Sequence, residues 1–195
     1  MRFRAVVLAL FASVGLATAQ VGELSISGGV SRFGNANLGS TVDQLGLPVA
    51  VTIDNGFRLT FRFTLNTYRF MGHEFGYAYN HSNLIIAGVK SSMPIHQGFY
   101  NFLFYATPEG SRIRPFATGG VHFTSFVPPG ASVYYGNEVT KFGVNYGGGI
   151  KVKVATNWLV RFDFRQYETG KPFNIPGASG RLFQNEISAG VSFIL

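Results

Sequence analysis

The chain has 195 residues, is rich in Phe (20), Tyr (9) and Gly (25), and carries a formal charge of +7 at pH 7. It contains no cysteine, which excludes disulfides and thiolate metal sites. Its Lys and Arg are scattered along the chain rather than clustered, which argues against a nucleic-acid-binding face.

Residues 1–19 read as a cleaved export signal. Arg2 and Arg4 precede an apolar stretch from Ala5 to Leu16, and Ala17-Thr18-Ala19 supplies the small residues a signal peptidase requires. No cysteine follows that site, so the lipoprotein route is closed. Residues 20–195 then form one domain. No segment after the leader reaches the roughly 18 uninterrupted apolar residues that a membrane-spanning helix needs.

The rest of the chain alternates with a period of two. The first predicted strand covers 21–33, with Leu24, Ile26, Gly28 and Val30 on one side. Over 56–65 the alternation is complete: Phe57, Leu59, Phe61, Phe63 and Leu65 oppose Gly56, Arg58, Thr60, Arg62 and Thr64. In 72–79, His73, Phe75, Tyr77 and Tyr79 oppose Gly72, Glu74, Gly76 and Ala78. Residues 97–106 are aromatic on both faces, so the pattern leaves their facing open. In 117–124, Ala117, Gly119, Val121 and Phe123 oppose Thr118, Gly120, His122 and Thr124. Strand 141–153 sets Phe142, Val144, Tyr146, Ile150 and Val152 against Lys141, Asn145, Lys151 and Lys153; strand 158–165 sets Trp158, Val160, Phe162 and Phe164 against Leu159, Arg161, Asp163 and Arg165. The last strand, 186–195, opposes Ile187, Ala189, Val191, Phe193 and Leu195 to Glu186, Ser188, Gly190, Ser192 and Ile194.

Eight strands result, joined by connections of alternating length. Residues 66–70, 107–112 and 155–157 are tight turns rich in Asn, Pro, Gly and Thr, whereas 34–48, 83–95, 126–138 and 168–180 read as long loops. Four long loops, three short turns and both ends of the chain on the short-turn side give the plan of an all-β, eight-stranded antiparallel up-and-down transmembrane β-barrel. A soluble sandwich or lipocalin-type barrel is the competing plan. Against it stand the leader, the apolar final strand, and Tyr68, Phe70 and Trp158 beside the short turns, where an interfacial aromatic girdle belongs.

The final strand, with Ser188, Gly190, Phe193 and Leu195, resembles the C-terminal assembly signal of bacterial outer-membrane barrels, although Leu195 stands where a terminal Phe is usual. Over the whole of 20–195 the strand facing resembles the small outer-membrane β-barrel family that includes the eight-stranded transmembrane domain of outer-membrane protein A. The resemblance implies residence in the bacterial outer membrane and contact with its lipid and lipopolysaccharide. It also implies insertion by the barrel assembly machinery and a monomeric state. No peptidoglycan-binding domain is expected after the last strand.

In such a barrel Arg58, Arg62, Glu74, Lys151, Lys153, Arg161, Asp163, Arg165 and Glu186 point into the lumen. Charges in so small a space must pair, because an isolated ion away from bulk water costs several kcal/mol. The expected role of this set is a structural network filling the barrel, and an anion-preferring path is the alternative. Catalysis is not expected. Lipid A deacylases of similar architecture use a His and a Ser two positions apart on the lipid side, whereas His122-Phe123-Thr124 offers Thr and faces the lumen. Gly147-Gly148-Gly149 lacks the Lys-Ser/Thr of a phosphate loop, and His73, His81, His96 and His122 share no metal-ligand spacing, so neither cofactor nor metal is expected. The long loops are the place for binding a surface protein or glycan, above all 127–135 with its two prolines and two tyrosines. The expected function is therefore envelope integrity or surface interaction through the loops. A narrow pore or carrier for small or hydrophobic solutes, and a lipid A-modifying hydrolase, are the alternatives.

Overall fold

The computed structural model describes residues 21–132, 136 and 138–195. The expected leader lies outside these, as do Val133, Tyr134 and Tyr135 of the third loop. Ten strands and no helix occur among the described residues: β1 (Val21–Gly34), β2 (Asn37–Val42), β3 (Pro48–Ile53), β4 (Gly56–Tyr68), β5 (Met71–Ile86), β6 (Val89–Tyr105), β7 (Ile113–Phe126), β8 (Val139–Lys153), β9 (Trp158–Gly170) and β10 (Arg181–Ile194).

Eight of these close a barrel. Antiparallel pairing runs β5-β4-β1-β10-β9-β8-β7-β6, and β6 returns to β5, so no barrel strand keeps a free edge. The closing pair β1–β10 is in continuous register from Glu23↔Ile194 to Gly34↔Phe183. Leu195 donates its backbone N–H to the Gly22 carbonyl at 2.9 Å, and Phe193 meets Trp158 edge-on with ring centroids 5.2 Å apart.

Period-two alternation divides every barrel strand into an outward apolar face and an inward polar one. Phe57, Phe61, Phe75, Phe123, Phe162 and Phe164 stand outside, each about half exposed, while the arginines between them are sealed inside. That inverts a soluble protein and fits a hydrocarbon surround, where every backbone polar group must find a partner within the sheet. The open facing of β6 is settled by Gly76: a Cβ there would stand 2.0 Å from the Phe99 ring. Phe99 therefore fills the lumen together with Gln97, Asn101, Leu103 and Tyr105, and His96, Tyr100, Phe102 and Phe104 face out.

Two predicted long loops prove otherwise. Residues 83–95 continue β5 and β6 as one hairpin, paired through Ile86↔Val89. Its two central residues, Ala87 (φ 50°) and Gly88 (φ 80°), both have positive φ, as a type I′ turn demands. Residues 34–48 contain β2, which pairs with β3, and β3 in turn pairs with β5 from Val51↔Ile86 to Ile53↔Leu84. The β2–β3 turn is tied by Asp43, whose carboxylate accepts from the N–H groups of Leu45 and Leu47, both at 2.9 Å. The other two loops, 127–138 and 171–180, carry no strand among their described residues.

Candidate functional site

The lumen holds most of the buried polarity, and it is layered along the barrel axis. Its middle layer joins four arginines to three carboxylates, all seven side chains with no solvent exposure. Asp163 takes Arg161 side-on, Nε and Nη2 each at 2.8 Å, and Arg165 Nη2 at 2.9 Å. Glu74, four strands away around the wall, accepts from Arg161 Nη2 at 3.0 Å and forms an ion pair with Arg165 Nη2 at 2.7 Å, so the network spans the lumen. Glu186 accepts from Arg62 Nη2, the Tyr167 hydroxyl at 2.9 Å and the Ser188 hydroxyl at 2.6 Å, and forms an ion pair with Arg58 Nε at 3.1 Å. Aromatic rings fill the remaining gaps: the Arg58 guanidinium lies 4.6 Å from the Tyr167 centroid, and Phe99 sits between Arg62 and Arg165.

Toward the short-turn end, Lys151 pairs with Glu23 and donates to the Tyr105 hydroxyl at 3.0 Å, while Asn66 donates to the other Glu23 oxygen at 2.8 Å. Arg114 follows, bound to Glu109 at 2.8 Å. Lys153 belongs to the same inward register but stands at the mouth, partly exposed, and joins no member of the network. Glu23, Arg114 and Tyr105 were not singled out from the sequence. Glu23 sits at the start of the first strand beside Gly22, Arg114 precedes the stretch where alternation becomes readable, and Tyr105 lies in the strand of open facing.

Above the arginines a belt of neutral polar groups crosses the barrel. Gln184 donates to Ser31 at 2.6 Å, Ser31 to Asn80 at 2.7 Å, and Gln97 to Thr124 at 2.8 Å. His122 is buried in this belt with neither ring nitrogen hydrogen-bonded, and Thr124 takes its bond from Gln97 rather than from the histidine. Over the belt lies an apolar cap of Leu38, Val51, Ile53, Leu84, Met93, Ile95, Phe126 and Leu182, against which Phe33, Ala36, Phe173 and Ile175 pack. The first and last loops are laced together across it: Ser40 N–H donates to the Pro176 carbonyl at 2.8 Å, and Lys171 Nζ reaches the carbonyls of Asn35 and Asn37. Partial burial holds the Lys171 ammonium below its ordinary pKa.

Of the residues expected to form an assembly signal, Ser188 faces the lumen, while Gly190 lies where β10 crosses β1 so closely that a Cβ would come 2.1 Å from the Ile26 carbonyl. Phe193 and Leu195 cover the outside of the seam. Among the described residues no group of three or more His, Asp or Glu is arranged to hold a metal ion.

A closed eight-stranded antiparallel barrel with an apolar outer face and a charged interior defines a transmembrane β-barrel of the outer-membrane type. A family model described as outer membrane protein beta-barrel domain matches residues 4–194, and the chain belongs to that family. Its place is the outer membrane. Among solved structures, neisserial surface protein A superposes with a TM-score of 0.57 at 12% identity, over 90% of this chain and 99% of that one. OprG from Pseudomonas aeruginosa gives 0.56 at 14%, over 89% and 96%. The attachment invasion locus protein Ail of Yersinia pestis, in complex with the heparin analogue sucrose octasulfate, gives 0.51 at 11%, over 89% and 99%. A sequence comparison with curated proteins finds no match.

Proposed function

We propose that this protein is a sealed envelope barrel whose work is done by its body and its outer surface, not by traffic through its lumen. One observation carries the reading: the lumen is filled from wall to wall by the arginine–carboxylate layer and stopped again by the apolar cap. An eight-stranded barrel has an interior only wide enough for side chains. A solute would have to part several buried ion pairs, and leaving any one charge unpartnered costs several kcal/mol.

Short turns face the periplasm and longer connections the exterior in barrels of this kind, so the cap and its hairpins form the outer surface. The β2–β3 tip presents Leu45, 83% exposed, with Val42 and Leu47 beside it. A rigid scaffold displaying such a tip suits contact with a surface protein or glycan. That Ail was solved with a sulfated heparin analogue supports this reading for the shared architecture. Lipid and lipopolysaccharide would surround the aromatic wall, the assembly machinery would read the β10 seam, and the barrel would act as a monomer without chemistry.

The test is deletion of the protein from its host and scoring of detergent sensitivity and surface attachment. Wild type and a Leu45→Ser/Leu47→Ser form are then returned. Deletion should impair one of the two properties; if the double variant restores only envelope resistance, surface binding lies in the tip. Loss of solute uptake, with resistance and attachment unchanged, would overturn the reading.

A further inference from the structure

The short-turn mouth carries a feature that a sealed barrel does not require. Arg114 on β7, Lys151 on β8 and Arg161 on β9 stand directly opposite one another in the ladder, a row of three cations on adjacent strands. Like charges so placed repel unless each is compensated. Arg161 has Glu74 and Asp163, and Lys151 has Glu23. Arg114 has only Glu109, which is one-third exposed and bonds a single nitrogen, Nη1.

The remaining side of that guanidinium is sealed but unpartnered. Arg114 is 3% exposed, its Nε and Nη2 have no hydrogen-bond partner, and its flat face rests on Tyr105 with 3.6 Å to the ring centroid. Nε and Nη2 are the pair that Arg161 uses to grip Asp163 side-on. Their two parallel N–H bonds match the oxygens of a carboxylate or phosphate. Arg114 lines a cavity of about 190 Å³, together with Glu23, Glu109, Lys153 and Leu159. At roughly 30 Å³ per water that is room for about six waters, or for one small oxyanion. Lys153, with no ion-pair partner among the described residues, supplies a second cation at the rim.

We propose that this periplasmic mouth is a binding site for a small oxyanion, a phosphate or carboxylate group held bidentate by Arg114 and drawn in by Lys153. The anion takes the two nitrogens that Glu109 leaves unbonded, and Tyr105 fixes the plane in which it is read. The site is independent of whether the lumen conducts.

The isotope-labelled chain, folded in uncharged detergent and shown by heat-modifiable migration to be folded, is titrated at constant ionic strength. The probes are inorganic phosphate and, separately, acetate, and the readout is the amide shifts of Gly110, Arg114 and Lys153. Saturable shifts confined to the mouth are expected with at least one of the two, and the tighter probe assigns the class. Arg114→Lys keeps the charge but loses the fork and should weaken binding at least about tenfold. Lys153→Gln should weaken it about threefold. Shifts that never saturate with either anion, or an affinity unchanged in both variants, would overturn the proposal. Should Arg114→Lys fail to fold, Lys153→Gln decides alone, and an unchanged affinity there overturns it.

Discussion

Asp163 shows how the lumen keeps so many charges dry. Its two oxygens hold Arg161 through a side-on pair and Arg165 through Nη2, in a place without solvent. Asp163→Asn removes the charge but not the volume, leaving two buried guanidinium groups to share Glu74. We expect a loss of about 3–5 kcal/mol, the cost of breaking a buried pair from one side, measured by urea unfolding in lipid vesicles; a change below 1 kcal/mol would mean the lumen is wet. At the rim the same chemistry is weaker. Lys90 donates to the partly exposed Asp54 at 2.7 Å, and this bond, with the Asn55 N–H, holds the Asp54 carboxyl below its ordinary pKa. A lowered carboxylate pKa means the contact stabilises above about pH 4 and fades as pH falls through the folded value. Asp54 should therefore titrate below 3.8 by carboxyl NMR, and Lys90→Gln should return it toward that value. The inward direction of Arg58, Arg62, Arg161 and Asp163 is legible because each sits between two outward apolar residues. Their partners are not: Glu74 and Arg161 are 87 residues apart, and only barrel closure brings them together.

At the scale of elements, β4, β9 and β10 are readable because lipid on one side and a charged lumen on the other enforce strict alternation. Above the membrane that contrast vanishes. The upper halves of β5 and β6 face the apolar cap on one side and water on the other, Pro94 interrupts the run, and Ala87-Gly88 lacks the Asn-Gly signature of a tight hairpin. Hence 83–95 reads as a loop in the sequence and is a hairpin in the structure. Ala87 is a non-glycine residue in left-handed conformation, which asparagine tolerates better. Ala87→Asn should stabilise the hairpin by about 0.5–1 kcal/mol, seen as slower amide exchange at Ile86 and Val89. Lower in the same hairpin the opposite holds. Gly76→Val drives a side chain into the Phe99 ring and should cost about 1–3 kcal/mol or more by the same urea assay, through overpacking.

For the whole molecule, the fold follows from one inversion, apolar outside and charged inside, repeated on eight strands. That inversion is written in the sequence, together with the strand number and closure at the final strand. The sealing of the outer mouth is not, because it depends on a β2–β3 hairpin folding back onto β5 and on Lys171 bridging to Asn35 and Asn37, more than 130 residues away in the chain. The ion layer and the cap together imply closure of the lumen at two levels. Single-channel recording of the folded protein in planar bilayers tests it most directly. Wild type should leave the membrane silent at salt and voltage where open barrels conduct; discrete, reproducible openings that change with Arg58 or Arg62 substitution would show an open path instead.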